Sequence, residues 1–327
     1  MSNLALELIA KEKIEKTGRL DLGNCGLTEL PEELFELVWL EELYLNFDKY
    51  DWENRKWIKS KNQGSKNQIS HIPTNFPKLE NLKELQIHEQ PILDFSILNN
   101  CKNLVRLNLY DSKTTDFSFL SGLTQLQSLY LSSNQITDIS FLSGLTQLQS
   151  LVLSSNQITD ISFLSGLTQL QTLDLSSNQI TDISDLLPLI KLGKMQLSLE
   201  EYDWKGKINL HNNPIENPPL AIVKEGNEAV INYFKQKEKQ GTFPLLEAKL
   251  LIVGEAGSGK SSLMKKLVDN TYVIPKDGDK AMKSTVGIKI HEGWTFPYYK
   301  DNSIDFITNL WDFGGQEVQY MTHQFFM

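Results

Sequence analysis

The sequence predicts an α/β fold in two parts, a solenoid of repeats followed by a smaller domain that begins with a strand, a glycine-rich loop and a helix. Two observations support this prediction. From residue 117 the chain nearly copies itself three times, with a period of 22 residues. Further on, the stretch GEAGSGKS lies between a short apolar run and an amphipathic segment. A fixed period in this range is typical of a solenoid.

The composition and net charge indicate which classes of protein fit this sequence. The 327 residues are 40% hydrophobic and 22% charged, as in ordinary folded domains. A net charge of −9 argues against nucleic acid as the main partner, because phosphate backbones need a basic surface. No apolar run is long enough for a transmembrane helix, and the N-terminus lacks the apolar core of a signal peptide. The two cysteines, Cys25 and Cys101, suit a reducing cytoplasm and are predicted to be small buried side chains.

The repeated unit, FSFLSGLTQLQSLYLSSNQITD, contains the pattern LxxLxLxxN of leucine-rich repeats. A short strand is predicted to supply inward leucines such as Leu129 and Leu131. The asparagine of each unit, as at Asn134, is predicted to bond backbone groups of the neighbouring turn. We expect eight or nine such strands. The predicted segments are a capping helix at 1–18, the solenoid at 19–219, a connecting helix at 220–241 and a second domain at 242–327.

Two excursions break the period, and both contain YDW. We expect Leu40–Trp52 and Leu192–Trp204 to be two copies of one repeat variant with an extended loop. The first loop mixes basic and aromatic residues, which can hold single-stranded nucleic acid; the alternative is that the aromatics pack on the solenoid flank. The outward strand positions are predicted to form an exposed column on the binding surface of the repeats. That column comprises Gln86, Asn108, Tyr130, Val152 and Asp174.

The stretch GEAGSGKS fits the phosphate-loop pattern G-x-x-x-x-G-K-[ST]. Leu250–Val253 is predicted to be a buried strand, and SLMKKLVD a helix. The glycines allow backbone N–H groups to wrap phosphate oxygens at the positive end of that helix. Lys260 brings a positive charge to the outer phosphates, and the Ser261 hydroxyl can bind Mg²⁺.

A second motif, WDFGGQE, follows the predicted strand Ile304–Trp311. Asp312 lies at the strand's C-terminal end, where ligand-binding residues gather in open α/β sheets, and is predicted to hold the metal. The Gly315 N–H can reach a γ-phosphate, and Gln316 can orient the attacking water. Thr285, in the intervening stretch KSTVGIKI, can close on Mg²⁺. The predicted site residues are Gln316 and Lys260 for catalysis; Gly254, Glu255, Ala256, Gly257, Ser258, Gly259, Lys260, Ser261, Ser262 and Gly315 for phosphate; and Ser261, Thr285 and Asp312 for Mg²⁺.

The motifs GEAGSGKSS, STVGI and WDFGGQE, in this order and after leucine-rich repeats, resemble those of a Roco protein. In that family a Roc domain, similar to the Ras-like GTPases, is followed by a COR domain. The first unit, GRLDLGNCGLTELPEEL, is similar to the start of bacterial members. The resemblance covers the whole chain. It implies a leucine-rich-repeat solenoid followed by the N-terminal half of a Ras-like P-loop GTPase domain.

The same resemblance implies binding of GTP with Mg²⁺, slow hydrolysis to GDP and phosphate, and a homodimer formed through COR. Some relatives add a protein kinase domain. The chain ends ten residues after Glu317, before the N-K-x-D-type segment that reads guanine and before COR. We therefore expect a fragment of a longer gene product, inactive by itself and a weak binder of nucleotides.

Two other functions remain open from the residues alone. Phosphate loops serve both adenine and guanine nucleotides, so one alternative is a P-loop signalling protein that uses ATP. The other is an interaction protein, whose repeats bind an unknown protein partner while the nucleotide domain is inert.

Overall fold

The computed structural model describes residues 3–52, 54, 56–201, 203, 205–240, 247–252, 258–273, 288–298 and 301–313. The chain divides into two compact units, Met1–Gln240 and Gly241–Met327. None of the helices in the described ranges is long and apolar enough to cross a membrane.

The first unit contains four α-helices and eleven strands within the described residues, linked by short 3₁₀ helices such as Ser118–Gly122 and Ser140–Gly144. In chain order these elements are α1 (Asn3–Glu15), β1 (Arg19–Asp21), β2 (Glu42–Tyr44), β3 (Asp48–Asp51), β4 (Lys56–Lys59), β5 (Glu84–Gln86), β6 (Arg106–Asn108), β7 (Ser128–Tyr130), β8 (Ser150–Val152), β9 (Thr172–Asp174), α2 (Leu187–Lys191), β10 (Gln196–Ser198), β11 (Lys207–Asn209), α3 (Leu220–Lys224) and α4 (Asn227–Gln240).

Nine of these described strands form one parallel sheet in the order β1-β2-β5-β6-β7-β8-β9-β11-β10. The repeat leucines stack in register, Leu107 beside Leu129, then Leu151, then Leu173. All four are fully buried, because alternate residues of a strand point to opposite faces and these share the inner one. The predicted leucine-rich-repeat solenoid is therefore confirmed.

Asparagines connect neighbouring repeats, as the sequence predicts. The Asn156 amide donates to the carbonyl oxygens of Leu131 and Leu153 at 3.0 and 2.9 Å, and its Oδ1 accepts the Ile136 N–H at 3.1 Å. Asn134 and Asn178 bond equivalent groups. Each asparagine thus satisfies backbone groups that a buried turn would otherwise leave unpaired.

The first repeat lacks its own asparagine, but the asparagine of the second repeat, Asn67, bonds its turn in the same way as in later repeats. Cys25 stands at the asparagine position, and Asn67 Oδ1 accepts its backbone N–H at 3.1 Å. Cys25 and Cys101 are both buried, and burial raises the pKa of each thiol to about 11. Both side chains therefore stay protonated at neutral pH, as expected of small core residues.

The third residue after seven of the nine strands of the repeat sheet adopts a left-handed conformation, including Glu89 with a φ of 54° and Asp111 with a φ of 44°. The φ of the others is 52° at Asn24, 56° at Ser133, 57° at Ser155, 54° at Ser177 and 54° at Asn212. This region disfavours most L side chains but tolerates asparagine. The same turn therefore recurs with a favourable asparagine or aspartate at three sites and with a less favourable serine or glutamate at four.

The predicted exposed column is wrong, because the first excursion folds over it. We use the term outer face for the face of the repeat sheet opposite the leucine core. Strands β3 and β4 pair as an antiparallel hairpin, and Tyr50 of this hairpin exchanges two hydrogen bonds with the Gln86 side chain, at 2.6 and 2.7 Å. The Tyr50 ring lies 5.0 Å from that of Tyr130. All five column residues are consequently buried: Gln86, Asn108, Tyr130, Val152 and Asp174.

The hairpin also determines where the aromatic residues of the first excursion pack. They lie on the outer face and not on the solenoid flank: the Trp52 Nε1–H donates to Glu84 Oε1 at 3.0 Å, and the Trp57 ring lies 6.3 Å from that of Tyr130.

The two excursions are not copies of one fold, contrary to the sequence interpretation. After β2 the first excursion forms the hairpin β3–β4, whereas after β10 the next strand among the described residues is β11 of the main sheet. Strand β11 inserts between β9 and β10, pairing Ile208 with Leu173 on one side and with Leu197 on the other. Strand β11, which follows the second excursion, therefore continues the stack of repeat strands after β9.

The predicted connecting helix is divided in two. Helix α3 ends at Lys224 and α4 begins at Asn227. Between them Gly226 has a φ of 92°, which only glycine adopts without strain and which breaks the helical path.

The described part of the second unit is a small mixed sheet with one helix. Its elements are β12 (Glu247–Ile252), α5 (Lys260–Val268), β13 (Ile288–Tyr298) and β14 (Asp301–Phe313). The strand order is β12-β14-β13, with β12 parallel and β13 antiparallel to β14. Helix α5 packs against β14.

Candidate nucleotide site

The sheet of the second unit brings together the strand ends that adjoin the three sequence motifs in the chain. Ile252, the last residue of β12, is in parallel register with Asp312 of β14. Lys289, near the start of β13, is in antiparallel register with the same Asp312. The end of β12 leads into the glycine-rich stretch, and the start of β13 follows the KSTVG stretch. The backbone at Asp312 therefore lies beside the points where the other two motifs join the sheet.

Helix α5 begins as a phosphate-binding helix requires. Gly259 precedes it with a φ of 82°, in the left-handed region that favours glycine. The Leu263 N–H donates to the Gly259 carbonyl at 2.9 Å and closes the first turn. The earlier N–H groups of a helix have no partner within it, and with the helix dipole they attract anions.

Lys260 and Ser261 are the first two residues of α5. Lys260 is buried, although lysine is rarely buried unless its charge is balanced. A lysine held at a helix N-terminus adds to the positive potential there. This arrangement suits a site for an anionic group such as a polyphosphate.

The described ranges cover part of the predicted site. Ser258, Gly259, Lys260, Ser261 and Ser262 lie together at the start of α5, and Asp312 is placed by its backbone. The other predicted residues lie outside the described ranges: Gly254, Glu255, Ala256, Gly257, Thr285, Gly315 and Gln316.

The residue types at this edge fit Mg²⁺. Among the described residues, no group of three His, Cys, Asp or Glu side chains could hold a metal ion. The predicted ligands are instead two hydroxyls and one carboxylate. Mg²⁺ prefers oxygen ligands and takes few of them from the protein, with water and phosphate oxygens completing its shell. Ser261, at the N-terminus of α5, lies where a bound phosphate would bring such oxygens.

Two family models match the chain. The model described as leucine-rich repeats (two copies) matches residues 102–144, 124–164 and 146–188. The model described as Ras of Complex, Roc, domain of DAPkinase matches residues 249–327. Among curated proteins, the chain is similar to the probable serine/threonine-protein kinase roco11 of Dictyostelium discoideum, with 36% identity over 120 residues, which are 33% of this chain and 7% of that protein. The chain matches a Roco protein.

Other relatives agree with the Roco assignment. A Roc-COR-CHAT protease from an unknown prokaryotic organism is 33% identical over 132 residues, 34% of this chain and 12% of that protein. The probable serine/threonine-protein kinase pats1 of Dictyostelium discoideum is 31% identical over 134 residues, 37% of this chain and 4% of that protein. The chain therefore spans a small fraction of the length of these relatives.

A solved structure supports the fold of the repeats. Internalin C2 of Listeria monocytogenes superposes with a TM-score of 0.52 and 28% identity, covering 67% of this chain and 87% of that one. The Roco match thus combines leucine-rich repeats, which serve as protein-binding modules, with a Ras-like GTPase type of domain.

Sequence reasoning missed the role of the first excursion. Tyr50 in β3 and Trp52, directly after that strand, alternate with charged residues, and alternation of apolar and polar residues is a strand signal. The sequence interpretation is instead an extended loop, whose aromatic residues either hold nucleic acid or pack on the solenoid flank. The packing partner of the hairpin, the outer face of β5–β8, lies far along the chain and leaves no local signal.

Proposed function

We propose that this chain is the repeat and nucleotide-binding part of a GTP-hydrolysing signalling switch of the Roco type. The nucleotide unit binds GTP and converts it to GDP and phosphate. The repeats bind a protein partner. We further propose that the protein acts in the cytoplasm and that the complete gene product dimerises through a COR domain.

One observation supports the nucleotide chemistry most directly. The register of β12, β13 and β14 brings Asp312 level with Ile252 and Lys289, at the edge to which all three predicted motifs connect. A switch needs these motifs together because each contacts the same γ-phosphate or its metal. A phosphate-binding loop without the other two motifs would bind nucleotides but would not respond to hydrolysis.

In this proposal each residue has a separate role. Backbone N–H groups from Gly254 to Ser262 hold the phosphates, and Lys260 balances the charge of the outer ones. Gln316 orients the water that attacks the γ-phosphate, while the Gly315 N–H senses that phosphate. Mg²⁺ held by Ser261, Thr285 and Asp312 would neutralise charge on the phosphate oxygens.

The hydrolysis step is tested by Gln316→Leu in the protein made from the complete gene. Single-turnover GTP hydrolysis should slow by at least about tenfold while GTP affinity stays within about twofold, because only the water-orienting group is lost. Gln149→Leu is the matched control, since Gln149 is exposed on the repeats and makes the same chemical change there.

Three results would contradict the proposal. Unchanged hydrolysis in Gln316→Leu would assign the water to another group, such as one supplied across a dimer. Binding without any hydrolysis by the unaltered protein would favour an inert nucleotide domain. Hydrolysis of ATP in preference to GTP would favour the ATP-using alternative.

A further inference from the structure

A groove runs along the outer face beside the hairpin. Its volume is about 740 Å³, in the range of sites for small ligands or single side chains of a partner. It follows the turns at the C-terminal ends of the repeat strands, and the hairpin forms one end of it. Tyr130 and Asp174, from β7 and β9, belong to its lining.

Aromatic rings form the hairpin end of the groove. Trp57 is 42% exposed, and its ring lies 6.2 Å from that of Tyr110 and 6.3 Å from that of Tyr130. An exposed tryptophan is otherwise unfavourable on a surface, whereas a tryptophan or tyrosine face attracts a cation placed within about 6 Å. The rings therefore offer a surface suited to an ammonium or guanidinium group.

Carboxylates also line the groove, among several serines. Asp48, Glu89, Asp174 and Glu201 line it, and no lysine or arginine of the described residues does. The groove thus has an acidic lining beside an aromatic end, and this combination is complementary to a cation.

Among these carboxylates, Asp174 would be stabilised most by a nearby cation. Its side chain is 5% exposed, and its Oδ1 accepts the Ser176 N–H at 3.0 Å. Burial raises the pKa of Asp174, outweighing the hydrogen bonds from serine and the nearby His211. No basic side chain in the described ranges forms an ion pair with it. A cation entering the groove would offset that desolvation.

His88 gives a second, independent indication of a ligand. Its ring is buried in the groove lining, and Nε2 lies 3.0 Å from Asp48 Oδ1. The other ring nitrogen, Nδ1, has no hydrogen-bond partner among the described residues. A buried polar atom is normally satisfied, and a polar group of a ligand would satisfy this one.

We propose that the groove binds a basic segment of a partner protein, with an arginine or lysine side chain between the aromatic end formed by Trp57 and the carboxylate of Asp174. The proposal names the chemistry of the partner and rests on the proposed role of the repeats as a protein-binding module. It is independent of the nucleotide chemistry, so each can fail alone.

The test uses the 327-residue chain and an acetylated, amidated peptide of three Gly-Arg units. The control peptide replaces each arginine by citrulline, which has the same shape without the charge. Calorimetry at about 50 mM salt should show binding of the arginine peptide, with the citrulline peptide at least about tenfold weaker. Equal binding of both peptides, or binding of neither, overturns the proposal.

Variants locate the binding. Trp57→Ala and Asp174→Asn should each weaken binding of the arginine peptide by about tenfold. Asp174→Asn keeps the hydrogen-bond acceptor, and asparagine already occupies this strand position at Asn108 and Asn209. Glu7→Gln removes one negative charge from an exposed site on α1 and is the matched control.

Unchanged peptide binding in both groove variants overturns the proposal, and so does preferential binding of a single-stranded oligonucleotide. GTP binding by the protein made from the complete gene is measured separately. Its loss would contradict the proposed switch and leave the peptide result standing.

Discussion

At the scale of single residues, the repeat leucines carry much of the stability of the first unit. Leu151 is fully buried between Leu129 and Leu173. Leu151→Ala should lower the free energy of unfolding by about 2–5 kcal/mol, because it removes buried apolar surface and leaves a cavity. Urea denaturation measures the change, and exposed Gln149→Ala is the control. An unchanged midpoint would contradict the core assignment.

Tyr130 provides a sharper test, because the sequence and the structure disagree about it. As part of an exposed column it would tolerate truncation, but the structure buries it beneath the hairpin, against Tyr50. Tyr130→Ala should therefore cost about 3 kcal/mol, whereas Tyr130→Phe should cost about 1 kcal/mol through its hydroxyl. A negligible effect of Tyr130→Ala would mean that the hairpin does not pack on the outer face.

Asp174 gives stability a specific dependence on pH. Its folded pKa is raised by burial, so the folded chain holds the proton more tightly than the unfolded chain does. The contribution of this carboxyl is fully present below its unfolded pKa and is lost as the pH rises through the raised folded value. Asp174→Asn has no ionisable carboxyl at this position, so it does not lose this stability as the pH rises.

The stability of Asp174→Asn relative to the unaltered chain should therefore increase from about pH 4 to about pH 7. Thermal unfolding across this range checks the trend. A difference that stays constant, or that decreases with pH, would show that the carboxyl is solvated in the folded state.

At the scale of elements, the hairpin β3–β4 is held by its packing on the repeat strands. Tyr50 supplies both backbone bonds to Gln86 and the ring contact to Tyr130. Tyr50→Ala keeps these backbone groups but removes the ring that packs on Tyr130. The loss of this packing should free the hairpin, since a two-stranded hairpin alone is marginally stable. Trypsin should then cut at the exposed Lys56 and Lys59 at least about tenfold faster, while the repeats stay intact.

Tyr233→Ala, in helix α4, is the control for that experiment. Hairpin cleavage that is equally slow in Tyr50→Ala and in the unaltered chain would mean that Trp52 and Trp57 hold the hairpin without Tyr50.

The left-handed turns after the strands can be stabilised by substituting a residue that adopts this conformation more easily. Ser155 is exposed with a φ of 57°, and Asn24 and Asn212 occupy the same place in other repeats. Ser155→Asn should raise the free energy of unfolding by up to about 1 kcal/mol, because asparagine tolerates this conformation better. Thermal unfolding measures the change, and a decrease in stability would contradict the turn geometry.

The elements that sequence predicts well are those with a local cause. The 22-residue period specifies the strands, the buried leucines and the asparagine ladder, since each repeat contacts mainly its neighbours. The hairpin and the insertion of β11 between β9 and β10 were not predicted. Both depend on pairings that local patterns do not encode: Tyr50 meets Tyr130 from a distant repeat, and Ile208 reaches Leu173 past a whole excursion.

At the scale of the whole molecule, the chain combines a repeat module with a Roc domain. The candidate nucleotide site stays a prediction from sequence, made possible because phosphate binding requires specific residues at fixed spacing. The sheet register adds that the strand ends adjoining the motifs lie level with one another at Asp312. Residue spacing alone does not give this. The groove beside the hairpin was not predictable, because it exists only through long-range packing.

The most direct test of the proposed switch is equilibrium binding of GTP and ATP, with Mg²⁺, to the protein made from the complete gene. Lys260→Ala is compared with Lys265→Ala, which removes an exposed lysine from the same helix. The account predicts that GTP binds at least about a hundredfold more tightly than ATP, that Lys260→Ala abolishes binding because the phosphates lose their fixed charge, and that Lys265→Ala binds normally. Equal affinity for both nucleotides, or full binding by Lys260→Ala, would contradict it.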